Sequence, residues 1–153
     1  MSRNLAGSVF CVLLLACSNS TGELSELPKP FTHATAMGDC APWDGAAVSI
    51  LFTTGPVDSI VQLSPPFLRL AIWRGPGGLG NNVFVWPSDE QVGAASYCAT
   101  ADSCEAADTG RVQFGETGGD GTLVGKFVLN FKNQGPVAGG FRALWLERRV
   151  LCG

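Results

Sequence analysis

Six cysteines are the residues of this 153-residue chain whose chemistry depends most directly on spacing. The last four, Cys40, Cys98, Cys104 and Cys152, are separated by 58, 6 and 48 positions. A structural zinc site needs cysteines about two to four residues apart, or histidine near them, and these spacings do not fit. An even number of cysteines indicates disulfides instead when a chain is exported to an oxidising compartment. Of three possible connectivities we favour Cys98–Cys104, a short loop, and Cys40–Cys152, which joins the two ends of a domain.

Acid–base and nucleophilic chemistry has little support in the sequence. The one histidine, His33, lies in a polar N-terminal stretch and is interpreted as a solvated residue. A Ser–His–Asp triad or a Cys–His dyad needs an imidazole beside the nucleophile, and no G-x-S-x-G elbow occurs. Carboxylates that a loop-based hydrolase or a calcium site would use are scattered without a recognisable pattern: Asp89, Glu90, Asp102, Glu105, Asp108, Glu116 and Asp120. We predict no catalytic residue, no metal and no cofactor.

A glycine-rich stretch from Gly75 to Gly80 matches the pattern G-x-G-x-x-G. In a dinucleotide site a helix begins at the last glycines, and its N–H groups face the pyrophosphate. Here the next apolar residues, Val83 to Trp86, are typical of a strand. The pattern therefore predicts a loop between two strands and not a cofactor site.

Aromatic residues are the remaining candidates for binding. Large aromatic side chains are usually buried, and Trp145, which alternates with Phe141 and Ala143, is predicted to lie in the core. Trp73 alternates instead with Arg69 and is the better candidate for an exposed platform that binds a sugar, a peptide or a membrane surface. Trp73 and Arg69 are therefore the candidate binding residues, and burial of Trp73 in the core is the alternative.

The first sixteen residues indicate export. Arg3 is followed by the apolar segment Leu5 to Ala16, which is shorter than the roughly 20 residues that a membrane-spanning helix needs. A charged start, a short apolar run and a small residue at its end are typical of a secretory signal peptide. Residues 1–16 are predicted to be that signal.

The residues Leu14-Leu15-Ala16-Cys17 resemble the lipobox of bacterial lipoproteins. The resemblance implies cleavage before Cys17 and acylation of its thiol, with palmitate-type chains that insert into a membrane. Stable anchoring takes two or more such chains. Ser18 in the next position implies the outer membrane if the cell has one. An ordinary secreted protein cut near Ala16 is the alternative.

Behind the anchor, residues 17–39 are predicted to be a flexible tether and residues 40–153 a single β domain. Short strands with Gly, Pro and Asn turns predict an all-β fold, an antiparallel sandwich or small barrel with two disulfides. The strands are expected at Ala47 to Thr54, Phe67 to Arg74, Val83 to Trp86, Arg111 to Glu116, Thr122 to Lys132 and Gly140 to Glu147, the last two forming a hairpin. Only Ser88 to Ala95 and Thr100 to Ala107 are left as possible short helices.

Composition limits the partners. The net charge is −3 and no run of Lys or Arg occurs, so the chain lacks the basic stripe that binds nucleic acid. The domain is similar to the many uncharacterised small all-β lipoproteins of bacteria, and no more specific family is recognised. We expect an envelope-anchored binding or structural module with a protein, glycan or lipid ligand. A β-barrel carrier of a hydrophobic ligand is the alternative, and a hydrolase a weaker third.

Overall fold

A computed structural model of the protein describes residues 27–57, 63–88, 90–116, 121–147 and 150–153. The predicted all-β fold and both predicted disulfides are confirmed. The strands are β1 (His33–Cys40), β2 (Ala46–Thr53), β3 (Phe67–Ile72), β4 (Val83–Trp86), β5 (Gly93–Thr100), β6 (Ser103–Ala106), β7 (Thr109–Phe114), β8 (Thr122–Phe131) and β9 (Gly135–Leu146). One 3₁₀ turn, Pro76–Gly78, follows β3.

All of these strands belong to one open sheet in the order β4-β7-β8-β9-β1-β2-β3-β5-β6. Each neighbouring pair is antiparallel except β1 and β9, which run parallel with Ala36 opposite Trp145. The predicted hairpin is confirmed as β8 and β9, which pair over ten positions from Thr122↔Leu144 to Phe131↔Gly135. This hairpin is tighter than expected, because Gly135 already belongs to β9.

The sheet rolls around one core, so that strands far apart in the sheet order come together. Tyr97 on β5 packs against Phe131 on β8 with ring centroids 6.3 Å apart, although four strands lie between β5 and β8 in the order. The chain between β6 and β7 joins the two sides. Ala107 N–H donates to the Ala95 carbonyl at 2.9 Å, and Asp108 N–H donates to the Asn130 carbonyl at 2.8 Å. The result is a barrel-like rolled sheet.

Alternating side chains produce the core. On β3 the side chains of Leu68, Leu70 and Ile72 are fully buried, whereas the residues between them point outward. At the centre the ring of Phe52 lies 5.0 Å from that of Phe127 and 5.6 Å from that of Phe141. Each large apolar side chain contributes about 1.5–3 kcal/mol by leaving water. Side chains therefore fill the middle of the rolled sheet.

The long disulfide ties the two ends of the domain, as predicted. Cys40 ends β1 and bonds to Cys152 across 112 positions, with Cα atoms 5.6 Å apart. Cys98 and Cys104 lie opposite each other on β5 and β6, with Cα atoms 4.0 Å apart. The first bridge restrains nearly the whole domain, and the second restrains one hairpin.

The two stretches that the sequence left as possible short helices contribute to strands instead. β5 begins at Gly93, within the first stretch, and β6 lies within the second. Alanine intrinsically favours helix, but tertiary pairing overrides this preference here. Ala95 pairs with the buried Leu70, and Cys98 pairs with Cys104.

The folded domain also begins earlier than Cys40. β1 starts at His33, inside the predicted tether 17–39, and pairs with β2 over eight positions in the middle of the sheet. Phe31 is buried against Phe52, with ring centroids 6.5 Å apart. The tether prediction is therefore wrong for residues 33–39. The small residues of HATAMGDC are a weak strand signal, and neighbouring strands supply the missing preference. Residues 1–26, which include Cys17 and the predicted signal peptide, lie outside the described residues.

Candidate functional site

The two predicted binding residues, Trp73 and Arg69, line one groove on the outer face of the sheet. The groove has a volume of about 330 Å³, within the range of small-molecule sites. Arg69 lies on β3. Trp73 directly follows the last residue of this strand and lies four positions after Arg69, on the same face. At about 3.3 Å per residue, their Cα atoms are separated by roughly 13 Å. The groove lies between and beside these two side chains.

Small side chains form the floor of this groove. Ala71 on β3 lies opposite Ala94 on β5, and Arg69 lies opposite Ser96, which in turn lies opposite Ala106 on β6. Because none of the floor residues extends beyond a methyl or hydroxymethyl group, the surface between the walls is flat and open. A cross-strand register of small residues therefore creates the groove.

The aromatic wall is supported by the turn between β1 and β2. The Ala41 N–H donates to the Gly45 carbonyl at 2.7 Å, and Asp44 adopts a positive φ of 62°. Asparagine and aspartate tolerate this conformation better than other residues with side chains. The turn brings Trp43 edge-on to Trp73, with ring centroids 5.3 Å apart. Trp43 is 53% exposed, so the pair presents aromatic surface to solvent from a fixed position.

The charged wall is a three-residue network on β1, β2 and β3. The Asp39 carboxylate accepts hydrogen bonds from the Ser49 hydroxyl and from Arg69 Nη2, which also forms a salt bridge with it. Arg69 Nε donates to the Ser49 oxygen at 3.2 Å. Among the described residues, Arg69 Nη1 has no partner, and the Arg69 side chain is 46% exposed. The network fixes the guanidinium and leaves donor capacity toward the groove side of the sheet.

The carboxyl of Asp39 is held in its charged form. Partial burial raises the pKa of Asp39, but the hydrogen bonds from the Ser49 hydroxyl and the Cys40 N–H, with the hydrogen bond and charge of Arg69, outweigh burial. The pKa of Asp39 therefore lies below its ordinary value of 3.8. At neutral pH the groove wall is an ion pair with no net charge.

Sequence reasoning missed three contributors to this site. Asp39 lay in the predicted tether, and Ser49 was read only as part of a strand. Trp43 was not singled out, although Asp44-Gly45 directly after it is a turn signal. Their proximity depends on the register of three strands, which no local pattern in the sequence fixes.

Among the described residues, the other sequence candidates do not gather into a site; Asp89 and Asp120 lie outside these residues. Glu90 pairs with Arg74 at 3.3 Å on the surface, and Glu105 accepts a hydrogen bond from the Asn133 N–H at 2.6 Å. His33 is exposed at the start of β1 and lies 2.9 Å from the Thr32 hydroxyl. Within the described ranges, no group of three or more His, Cys, Asp or Glu residues is placed to hold a metal ion.

The glycine-rich stretch is a loop between β3 and β4, as predicted. It forms the 3₁₀ turn at Pro76–Gly78 and buries Leu79 almost completely. Leu79 and Pro76 line a second cavity of about 410 Å³, together with Leu123 and Trp145. Trp145 is partly buried and packs against the core. The loop thus covers one end of the rolled sheet.

Comparison with known proteins provides no relative. The chain matches no protein-family model, no curated protein and no solved structure. No helix in the part of the chain that the structure describes is long and apolar enough to cross a membrane.

Proposed function

We propose that this protein is an exported, lipid-anchored binding module that holds its ligand in the groove between Trp73 and Arg69. Cys17 would carry the acyl chains, and the β domain would display the groove at the cell envelope. The observation that carries the binding role is the packing of the exposed Trp43 against the partly buried Trp73, with a fixed, half-exposed arginine across a floor of small residues. Binding sites commonly combine an apolar surface with a few oriented polar groups.

The two disulfides support the export half of the proposal. Disulfides persist in oxidising compartments outside the cytoplasm. Here one of them also stabilises the candidate site, because Cys40 lines the groove and directly precedes the turn that carries Trp43. Export and the rigidity of the site would therefore depend on the same bond.

Mass spectrometry of the protein extracted from its own membranes in mild detergent tests both halves. Under denaturing conditions we expect the mass of residues 17–153 plus acyl chains, less four hydrogens for the two disulfides. A bare chain recovered from the soluble fraction would contradict the anchor. Under native conditions we expect additional mass from a bound ligand.

A matched pair of variants assigns that ligand to the groove. Ala94→Phe fills the floor beside Ala71, whereas Ala138→Phe makes the same change at an exposed position on β9, in a different surface depression. The additional mass should disappear in Ala94→Phe and persist in Ala138→Phe. Equal additional mass in both variants would contradict binding in the groove.

A carrier with an internal ligand remains the second candidate, and the cavity beside Leu79 and Trp145 is the observation that favours it. It has less support, because aromatic rings 5.0–6.3 Å apart pack the middle of the sheet. In a carrier the additional mass would persist in Ala94→Phe and disappear when Leu79→Trp occupies the cavity.

A further inference from the structure

We infer that the ligand of the groove is a neutral, pyranose-containing glycan. This inference rests on the proposed function and specifies its ligand class. Three properties of the groove support it: the aromatic wall, the balanced charge of the opposite wall, and the shape of the floor.

The aromatic wall fits the apolar face of a sugar ring. One face of many pyranoses presents several C–H groups, and the electron-rich face of an indole attracts such weakly positive hydrogens. Trp43 packs edge-on against Trp73, an arrangement that aromatic pairs prefer and that holds both rings in place. A ligand that stacks here therefore loses little free energy to side-chain ordering.

The opposite wall fits hydroxyl groups rather than a charged group. Arg69 is the one cation that lines the groove among the described residues, and the Asp39 carboxylate already neutralises it. An anionic ligand would have to compete with Asp39, and a cationic ligand with Arg69. A vicinal diol can instead accept from the guanidinium and donate to the carboxylate without separating the ion pair.

The floor fits a sugar ring that lies across it. Ala71, Ala94 and Ala106 have short side chains, so a ring can lie across three strands at the level of the neighbouring side chains. Ser96 adds one hydroxyl to this otherwise apolar floor. A volume of about 330 Å³ between the walls is sufficient for a short saccharide and too small for a folded partner.

Titration of the full mature protein in detergent tests the inference, with indole fluorescence and calorimetry as readouts. The probes are neutral oligosaccharides of glucose, galactose and N-acetylglucosamine, matched oligosaccharides with uronic acid or sulfate groups, and short extended peptides. We expect saturable binding of a neutral oligosaccharide that weakens at least about tenfold in Trp73→Ala. Ala94→Phe, which leaves both tryptophans in place, should abolish binding, and Ala138→Phe should bind as the wild type does.

Each other result overturns the inference in a recognisable way. If no neutral saccharide binds, or if its affinity is unchanged in Ala94→Phe, the groove is not a glycan site. If a peptide or an anionic saccharide binds and depends on Ala94, the glycan inference fails while the proposed binding role stands. If none of the probes binds and native mass spectrometry shows no additional mass, both fail together.

Discussion

Two outer faces of the rolled sheet differ in whether their cationic side chains are held by ion pairs. On the β1–β2–β3 face the cation Arg69 is fixed by Asp39 and Ser49 beside an aromatic pair. On the β4–β7–β8 face the cations Arg111 and Lys126 form no ion pair within the described residues, and Val83, Val85 and Val128 are exposed around them. Both faces have a surface depression, of about 330 and 230 Å³ respectively.

The comparison shows that a depression by itself does not identify a binding site. The second face has cations without ion-pair partners among the described residues, beside exposed valines on β4 and β8, and exposed single apolar residues are common on soluble proteins. The first face holds its polar groups in fixed positions, and the long disulfide and the 41–45 turn restrain its rim. Preorganisation is therefore the property that distinguishes the two, and it can be removed experimentally in steps.

The largest effect is expected from opening the long disulfide, which restrains the first face. Cys40→Ser with Cys152→Ser should lower the free energy of unfolding by about 4–5 kcal/mol, because the closed loop spans 112 positions. Cys98→Ser with Cys104→Ser opens a loop of 6 positions and should cost only about 2 kcal/mol. Urea unfolding of both double variants measures the difference. Equal losses would show that the short bridge stabilises the native hairpin directly.

A second variant disturbs the core-facing side of the β4–β7 pair, behind the second outer face. Gly110 on β7 lies under the ring of Trp86, and a Cβ there would be 2.0 Å from Cζ2 of that ring. Gly110→Ala should therefore destabilise the domain by about 1–3 kcal/mol through overpacking. Gly77→Ala is the matched control, because nothing lies within 4 Å of its added Cβ. Thermal unfolding of the pair checks this, and an unchanged midpoint in Gly110→Ala would mean that Trp86 has room to move.

The third test compares the two faces directly. Arg69→Ala removes the partner of a partly buried carboxylate, so we expect a loss of about 1 kcal/mol. Arg111→Ala removes an exposed cation and should change stability by less than about 0.5 kcal/mol. Urea midpoints measured side by side provide the comparison. If Arg111→Ala is as costly as Arg69→Ala, the distinction between fixed and free cations is wrong.

The sequence predicted more of the fold than of the candidate site. The alternation of apolar and polar residues predicted β3, β4 and the β8–β9 hairpin, because large apolar side chains at every second position indicate a buried face. It missed β1, β5 and β6, which consist mainly of small or polar residues and become strands only through their neighbours. Small residues of β5 and β6 form much of the floor of the groove. That part of the candidate site comes from segments whose structure the sequence specifies least, whereas Trp73 and Arg69, in the predicted strand Phe67 to Arg74, could be identified.

The smallest effect concerns the charge of Asp39 and separates its electrostatic role from packing. Because the pKa of Asp39 is lower in the folded protein than its ordinary value of 3.8, the ionised carboxylate stabilises the fold. That contribution is complete above about pH 4–5 and decreases as the pH falls, since the unfolded chain takes up the proton first. It vanishes below the folded pKa.

The difference in urea midpoint between the wild type and Asp39→Asn should therefore be greatest at pH 7 and shrink as the pH falls below 4. Glu90→Gln is the control, because Glu90 forms its ion pair with Arg74 on the exposed surface and should give a small difference at every pH. A wild-type advantage over Asp39→Asn that stays constant from pH 7 to pH 3 would assign the role of Asp39 to hydrogen-bond geometry alone. The balanced ion pair, on which the choice of a neutral ligand depends, would then lose its electrostatic support.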